Sequence, residues 1–260
     1  MLHTEVLLTT LRKLFQVSTE NSVGTAHIWP TTVKAEKPEV SKPSFADFLV
    51  NASVSRTPGK MPHVRNTVDP SKFNSKAVLP YGLRILDFQA AMQDAYDLFF
   101  DLNGLLLDRG LQRLDEMLRP AAMSGIISDL LTASLAKHAR SLTANQYFNG
   151  HPDLVVAGVY PNNTVQAGSK GVEIKSTRKA GGAVDTHGAR DQWMCVFVYQ
   201  VDNDTEPVRD RAPMTFTEVY LGHVTVADFR KNPRSDLGTR TATLHREGIK
   251  LLRSHWVYIV

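Results

Sequence analysis

The sequence predicts an α/β fold with a mixed β-sheet flanked by helices, and two patterns carry that prediction. Between residues 85 and 135 apolar side chains recur at helical spacing. After Leu142 the chain changes to short segments rich in β-branched and aromatic residues, separated by turn signals. A length of 260 residues fits one large domain, or a core with a smaller appendage. Hydrophobic residues at 42% are enough to fill a real core.

The elements follow in order. Residues 4–16 read as a short amphipathic helix, with Val6, Leu7, Leu11, Leu14 and Phe15 on one side. Residues 17–45 carry Pro30, Pro38 and Pro43 with Lys34, Lys37 and Lys42, and read as an extended arm. Residues 54–80 are a proline-punctuated loop in which Arg56, Lys60, Arg65, Lys72 and Lys76 face Asp69 alone. An N-terminal helix and basic arm over 1–80 is therefore expected, ahead of a main domain over 81–260. Within that domain a helical section spans 81–142 and a sheet spans 150–260. Ile85, Phe88, Met92, Ala95 and Phe99 form one helical stripe; Leu107, Leu111 and Leu114 continue it. Pro120 then separates a further stripe, Ile127, Leu130, Leu131 and Leu135. Core packing accounts for all three. Strands are expected at Leu154–Tyr160, Gly171–Ser176, Trp193–Val201, Thr215–Val226 and His255–Val260. Pro161-Asn162-Asn163 marks a turn after the first, and Gly181-Gly182 a loop before the third.

Composition excludes several classes. The single cysteine, Cys195, rules out a disulfide framework within the chain and a cysteine-based zinc site. It lies in the apolar run Trp193–Phe197 and reads as a buried strand residue. The N-terminus lacks a basic region before an apolar run, and no stretch of about 18 apolar residues occurs, so no leader and no membrane span are expected. Cytoplasmic surroundings are the default expectation. No Gly-X-X-X-X-Gly-Lys loop implies a nucleotide cofactor, no Gly-X-Ser-X-Gly elbow is present, and no close histidine pair implies zinc hydrolysis. A formal charge of +4 and pI near 9.1 are compatible with a polyanionic partner.

Chemistry concentrates in His151-Pro152-Asp153-Leu154 and Gly171-Val172-Glu173-Ile174-Lys175-Ser176-Thr177. Phosphodiester hydrolysis needs a divalent cation, hard oxygen ligands to hold it, and a positive group beside the charge that develops on phosphorus. Asp153 begins one strand. Glu173 and Lys175 are two apart on the next, so they share a face while Ile174 points the other way. In neighbouring strands Asp153 and Glu173 can converge on one ion, the Ile174 carbonyl can add a ligand, and Lys175 sits alongside. Two acids and a lysine inside otherwise apolar strands cost free energy unless they have partners or a job.

Pro152-Asp153 followed by Glu173-Ile174-Lys175 resembles the motif of the PD-(D/E)XK nuclease superfamily, which includes many type II restriction endonucleases. The resemblance is strong over the motif and looser over residues 125–201. It implies a restriction-endonuclease-like core and a Mg2+-dependent endonuclease acting on double-stranded DNA, with Asp153 and Glu173 binding Mg2+ and Lys175 assisting the attacking water. Many members add an acid from the preceding helix; Asp129 is the residue on offer and stands outside the expected site. Arg178 and Lys179 continue the catalytic strand, and His187, Arg190 and Gln192 flank the next one. With Arg240 and Arg246 of the basic C-terminal stretch, these are the DNA-binding candidates. His151 adjoins the motif, with capping or packing as its expected role. Cutting both strands of a palindromic site implies a homodimer, through the helices at 85–118 or the N-terminal arm. The alternatives are a repair, phage or modification-dependent nuclease of the same fold, a DNA-binding module without catalysis, and an unrelated α/β protein in which the motif arises by chance.

Overall fold

In the computed structural model, residues 64–231 and 241–260 are described, and all fall within one compact unit running from residue 58 to 260. The expected helix at 4–16, the arm at 17–45 and Arg240 lie outside the described residues.

A six-stranded sheet forms the centre. Its strands are β1 (Leu142–Ala144), β2 (Leu154–Val156), β3 (Gly171–Thr177), β5 (Gln192–Gln200), β6 (Thr215–Val224) and β9 (Trp256–Ile259), side by side in that order. β3 and β5 run parallel and every other neighbouring pair is antiparallel, so the sheet is mixed as expected. A second sheet of β4 (Asp185–Thr186), β8 (Ala242–Leu244) and β7 (Phe229–Lys231) is a separate small layer.

Two helices cover one face. Helix α1 (Ile85–Asp108) buries Phe88, Ala91, Met92, Ala95, Tyr96 and Phe99, the stripe that 3.6-residue periodicity demands. Its first turn is closed by Asp87, whose carboxylate accepts the Arg84 backbone N–H at 2.8 Å. Helix α2 (Pro120–His138) begins with its proline in the first turn and buries Met123, Ile127, Leu131 and Leu135. Alternation along β5 divides the interior. Cys195, Phe197 and Tyr199 join Leu154, Val172 and Ile174 under the helices. Met194, Val196 and Val198 join Tyr220, Leu244 and Leu252 beneath the second layer.

Several expectations need correction. The stripe through Leu107, Leu111 and Leu114 is broken: α1 ends at Asp108, Gly110 takes a positive φ of 72°, and Leu111 is exposed. The first strand stops at Val156 instead of Tyr160, because Gly158 turns the chain at φ 78°. The strand beginning at Thr215 ends at Val224 instead of Val226, where Thr225 and Asp228 close a short helical turn. The third strand spans Gln192–Gln200 and the last Trp256–Ile259. Additional to the expected elements are β1, the three strands of the small sheet, and helix α3 (Arg246–Ser254). In α3 Gly248 and Leu252 are buried and Ile249 packs beside them, while Arg246, Glu247, Lys250 and Arg253 are exposed. Residues 64–80 are laid against the sheet: Asn74 N–H donates to the Val257 carbonyl at 2.9 Å and Phe73 packs on Tyr258. Among the described residues no helix is long and apolar enough to cross a membrane.

Candidate active site

The register of three strands assembles the site. Leu154 pairs with Val172 across β2 and β3, and both side chains go to the helical core. The preceding Asp153 and the following Glu173 therefore share the opposite face. β3 then gives Lys175 on that same face. Close approach of the two strands is possible because residue 171 is glycine: a Cβ there would lie 1.9 Å from the Leu154 carbonyl oxygen and 2.7 Å from Pro152 Cγ.

The three side chains converge. Lys175 Nζ lies 2.5 Å from Glu173 Oε1 and 4.0 Å from Asp153 Oδ2. Asp153 Oδ2 accepts the Ile174 backbone N–H at 2.8 Å. The N–H and C=O of one strand residue point to the same edge, so the Ile174 carbonyl is directed toward Asp153 and away from β5. His151 also belongs to this group, which sequence reasoning assigned to capping or packing. Its Nδ1 stands 2.7 Å from Glu173 Oε2, with both side chains about 10% exposed. The approach is not along a hydrogen-bond direction, and Glu173 Oε2 accepts no hydrogen bond despite its burial. A parallel bridge between His151 and Ala167, with His151 N–H donating to the Gln166 carbonyl at 3.1 Å, sets the histidine there. A histidine next to a Pro-Asp was the signal available; the contact depends on the turn at 157–168.

Electrostatics separate the two carboxyls. Burial, reinforced by the Glu173 charge, pushes Asp153 up to about 7 against the pull of Lys175. Burial also pushes Glu173 up, but His151 and Lys175 together outweigh it and hold that carboxyl down at about 2. Burial would lower the Lys175 ammonium, and its two carboxylate neighbours raise it instead. Asp129, exposed on α2, adds its negative charge to the field at both Asp153 and Lys175.

The donor set suits a hard divalent cation: the Asp153 and Glu173 carboxylates, the latter with a buried oxygen that accepts no hydrogen bond, and a backbone carbonyl. Among the described residues, no three His, Cys, Asp or Glu side chains are arranged as a metal-binding group. Protein ligands would therefore be few, as Mg2+, which retains several waters, allows.

The DNA-binding candidates divide. Gln192 is buried on the Glu173 face of β5, two residues before Met194, which pairs with Glu173; its Oε1 has no hydrogen bond. Arg178 is committed to the scaffold, donating to the Val201 carbonyl at 3.0 Å. Lys179, His187 and Arg246 are exposed and Arg190 half-buried. Arg246 opens α3, whose Lys250 and Arg253 are exposed as well.

No family model matches the chain, and neither does any curated protein or solved structure.

Proposed function

We propose that the protein is a Mg2+-dependent endonuclease that hydrolyses phosphodiester bonds of double-stranded DNA, working as a homodimer in the manner of a type II restriction enzyme. One observation carries the reading: Asp153, Glu173 and Lys175 converge on one face where β2 meets β3, with Glu173 Oε2 buried and lacking a hydrogen bond. Asp153, Glu173 and the Ile174 carbonyl would hold the cation. When bound, Mg2+ supplies a Lewis acid for the phosphate and lowers the pKa of water.

The chain's own residues account for the rest. Lys175, within 4.0 Å of both carboxylates, brings positive charge to the phosphorus as it gains a fifth oxygen. Water adds to phosphorus, the bridging P–O bond breaks, and the leaving oxygen departs as a hydroxyl. His151 stands 2.7 Å from the Glu173 oxygen that Lys175 does not meet and, with Lys175, favours the ionised carboxylate. Lys179, Arg246 and Arg253 supply exposed charge for backbone phosphates, which makes binding salt-dependent, while Lys250 is paired with Glu247 at 3.0 Å.

Cleavage of unmethylated and methylated plasmid and phage DNA, with Mg2+ and with EDTA, tests this. Discrete bands that need Mg2+ and disappear in Lys175→Ala are expected, the loss being on the order of 10²-fold or more. Absence of Mg2+-dependent cutting on every substrate would overturn it.

A further inference from the structure

Beside the candidate active site, the loop joining β1 to β2 carries two neighbouring aromatic side chains in the open. Tyr147 is 41% and Phe148 67% exposed. Phenylalanine is ordinarily among the most buried residue types and tyrosine usually keeps most of its ring covered.

The loop that carries them is built rather than slack. Asn145 Nδ2 donates to the carbonyls of Pro152 (3.0 Å) and Val165 (2.8 Å), while its Oδ1 accepts the N–H groups of Tyr147 and Val165, each at 3.1 Å. Gln146 N–H donates to the Asn163 carbonyl, and Gly150 N–H closes back on the Tyr147 carbonyl, both within 3.0 Å. Asn149 bends the chain at φ 55°. Gly150 is so confined that a Cβ would lie 2.5 Å from both Asn145 Nδ2 and the Val165 carbonyl oxygen. The loop's start is tied to its end as well: Asn145 N–H donates to the carbonyl of Asp153 at 2.9 Å. Two exposed rings are thus fixed on a scaffold that shares hydrogen bonds with the residue bearing a catalytic carboxylate. The residues on either side of the two rings, Asn145, Gln146, Asn149 and Gly150, are uncharged, and the loop's one acid, Asp153, is the carboxylate of the candidate site at its far end.

We infer that Tyr147 and Phe148 form a stacking platform for an unpaired nucleobase beside the scissile phosphate, so the preferred DNA is locally opened at the cut. Base faces are flat, apolar and common to all four nucleobases, which is why exposed aromatics beside a phosphate-binding site favour them without sequence choice. Apolar side chains on a rigid turn can likewise wedge into a base step and hold it unstacked. This inference rests on the nuclease reading for the location of the scissile phosphate, and on the loop itself for the stacking.

The test uses the full chain with Ca2+ in place of Mg2+, and two oligonucleotide duplexes of one sequence: one fully paired, one with a two-nucleotide mismatch bubble. Each carries 2-aminopurine at the central step. Wild type should bind the bubble more tightly and quench its fluorescence. Phe148→Ala should weaken bubble binding roughly 5- to 150-fold, leave paired-duplex binding nearly unchanged, and remove the quench, with Tyr147→Ala acting in the same direction. Phe148→Trp should keep both. Both side chains are exposed, so the thermal midpoint of each variant should stay at the wild-type value and separate lost stacking from lost fold. Equal affinity for the two duplexes, or a preference that survives in the double alanine variant, would overturn the inference. Aromatic-dependent bubble binding without Mg2+-dependent cutting would sustain the platform while overturning the nuclease.

Discussion

Replacing Gly171 by alanine probes fold and site together. The new Cβ would sit 1.9 Å from the Leu154 carbonyl oxygen, with Leu154 C of β2 and the ring carbon Pro152 Cγ just before it also within 2.9 Å. A carbon–oxygen contact needs about 3.3 Å, so the strands must part by roughly 1.4 Å. No flexible side chain can absorb that movement, because the opposing atom is backbone. β2 is held to β3 by two register pairs, Leu154 with Val172 and Val155 with Gly171, so the shift falls on the whole contact. Overpacking of this kind costs about 1–3 kcal/mol. The same displacement pulls Asp153 Oδ2 out of reach of the Ile174 N–H, now 2.8 Å away. Urea unfolding should report the stability loss, and hydrogen exchange should show the Ile174 amide losing protection. If the proposed activity is present, cleavage should fall on the order of 10²-fold, as misplacement by about 1 Å can produce. A variant within 0.5 kcal/mol of wild type that keeps Ile174 protected would refute the claim that a bare Cα lets Asp153 meet Glu173.

Two further outcomes can be checked without any substrate. Asp94 accepts from Ser134 Oγ at 2.7 Å, Lys137 Nζ at 2.9 Å and His138 Nε2 at 2.9 Å, and although burial pushes its carboxyl up, these partners hold it below the ordinary range. Its stabilisation is present above the carboxyl's unfolded value and lost as pH falls through the lower folded one; Asp94→Asn should cost about 1–2 kcal/mol at neutral pH and flatten this acid-side loss in urea midpoints measured against pH. Removing His151 takes away one of the two partners that keep Glu173 near 2, so in His151→Ala the carboxyl should titrate higher, by carbon-detected NMR; an unmoved Glu173 would show that Lys175 alone sets it.

Periodicity made the helical face readable. Phe88, Met92, Ala95, Phe99, Ile127, Leu131 and Leu135 all lie in the core. The sequence-distant pair of motifs was readable too, because period-2 alternation puts Glu173 and Lys175 on one face whatever the strands around them do. Strand ends were harder: Gly158 and Gly110 terminate elements early, and an isolated glycine does not announce a positive φ. The small sheet left little signal, since strands of two or three residues carry no periodic pattern, whereas α3 did carry one, Ile249 and Leu252 facing the core among exposed charges. Arg178 looked free on paper and is taken by a backbone carbonyl.

By itself, then, the sequence determined which residues bear charge on an apolar strand and which face of that strand they occupy, because both follow from local geometry. The tertiary structure alone decided that β2 lies beside β3 in the register that joins Asp153 to Glu173, that His151 closes on Glu173 Oε2, and that Tyr147 and Phe148 stay in the open. Those are contacts between segments the chain brings together only by folding. They depend on a glycine with no room for a Cβ and on an asparagine that ties two loops, and no spacing rule along the sequence encodes either.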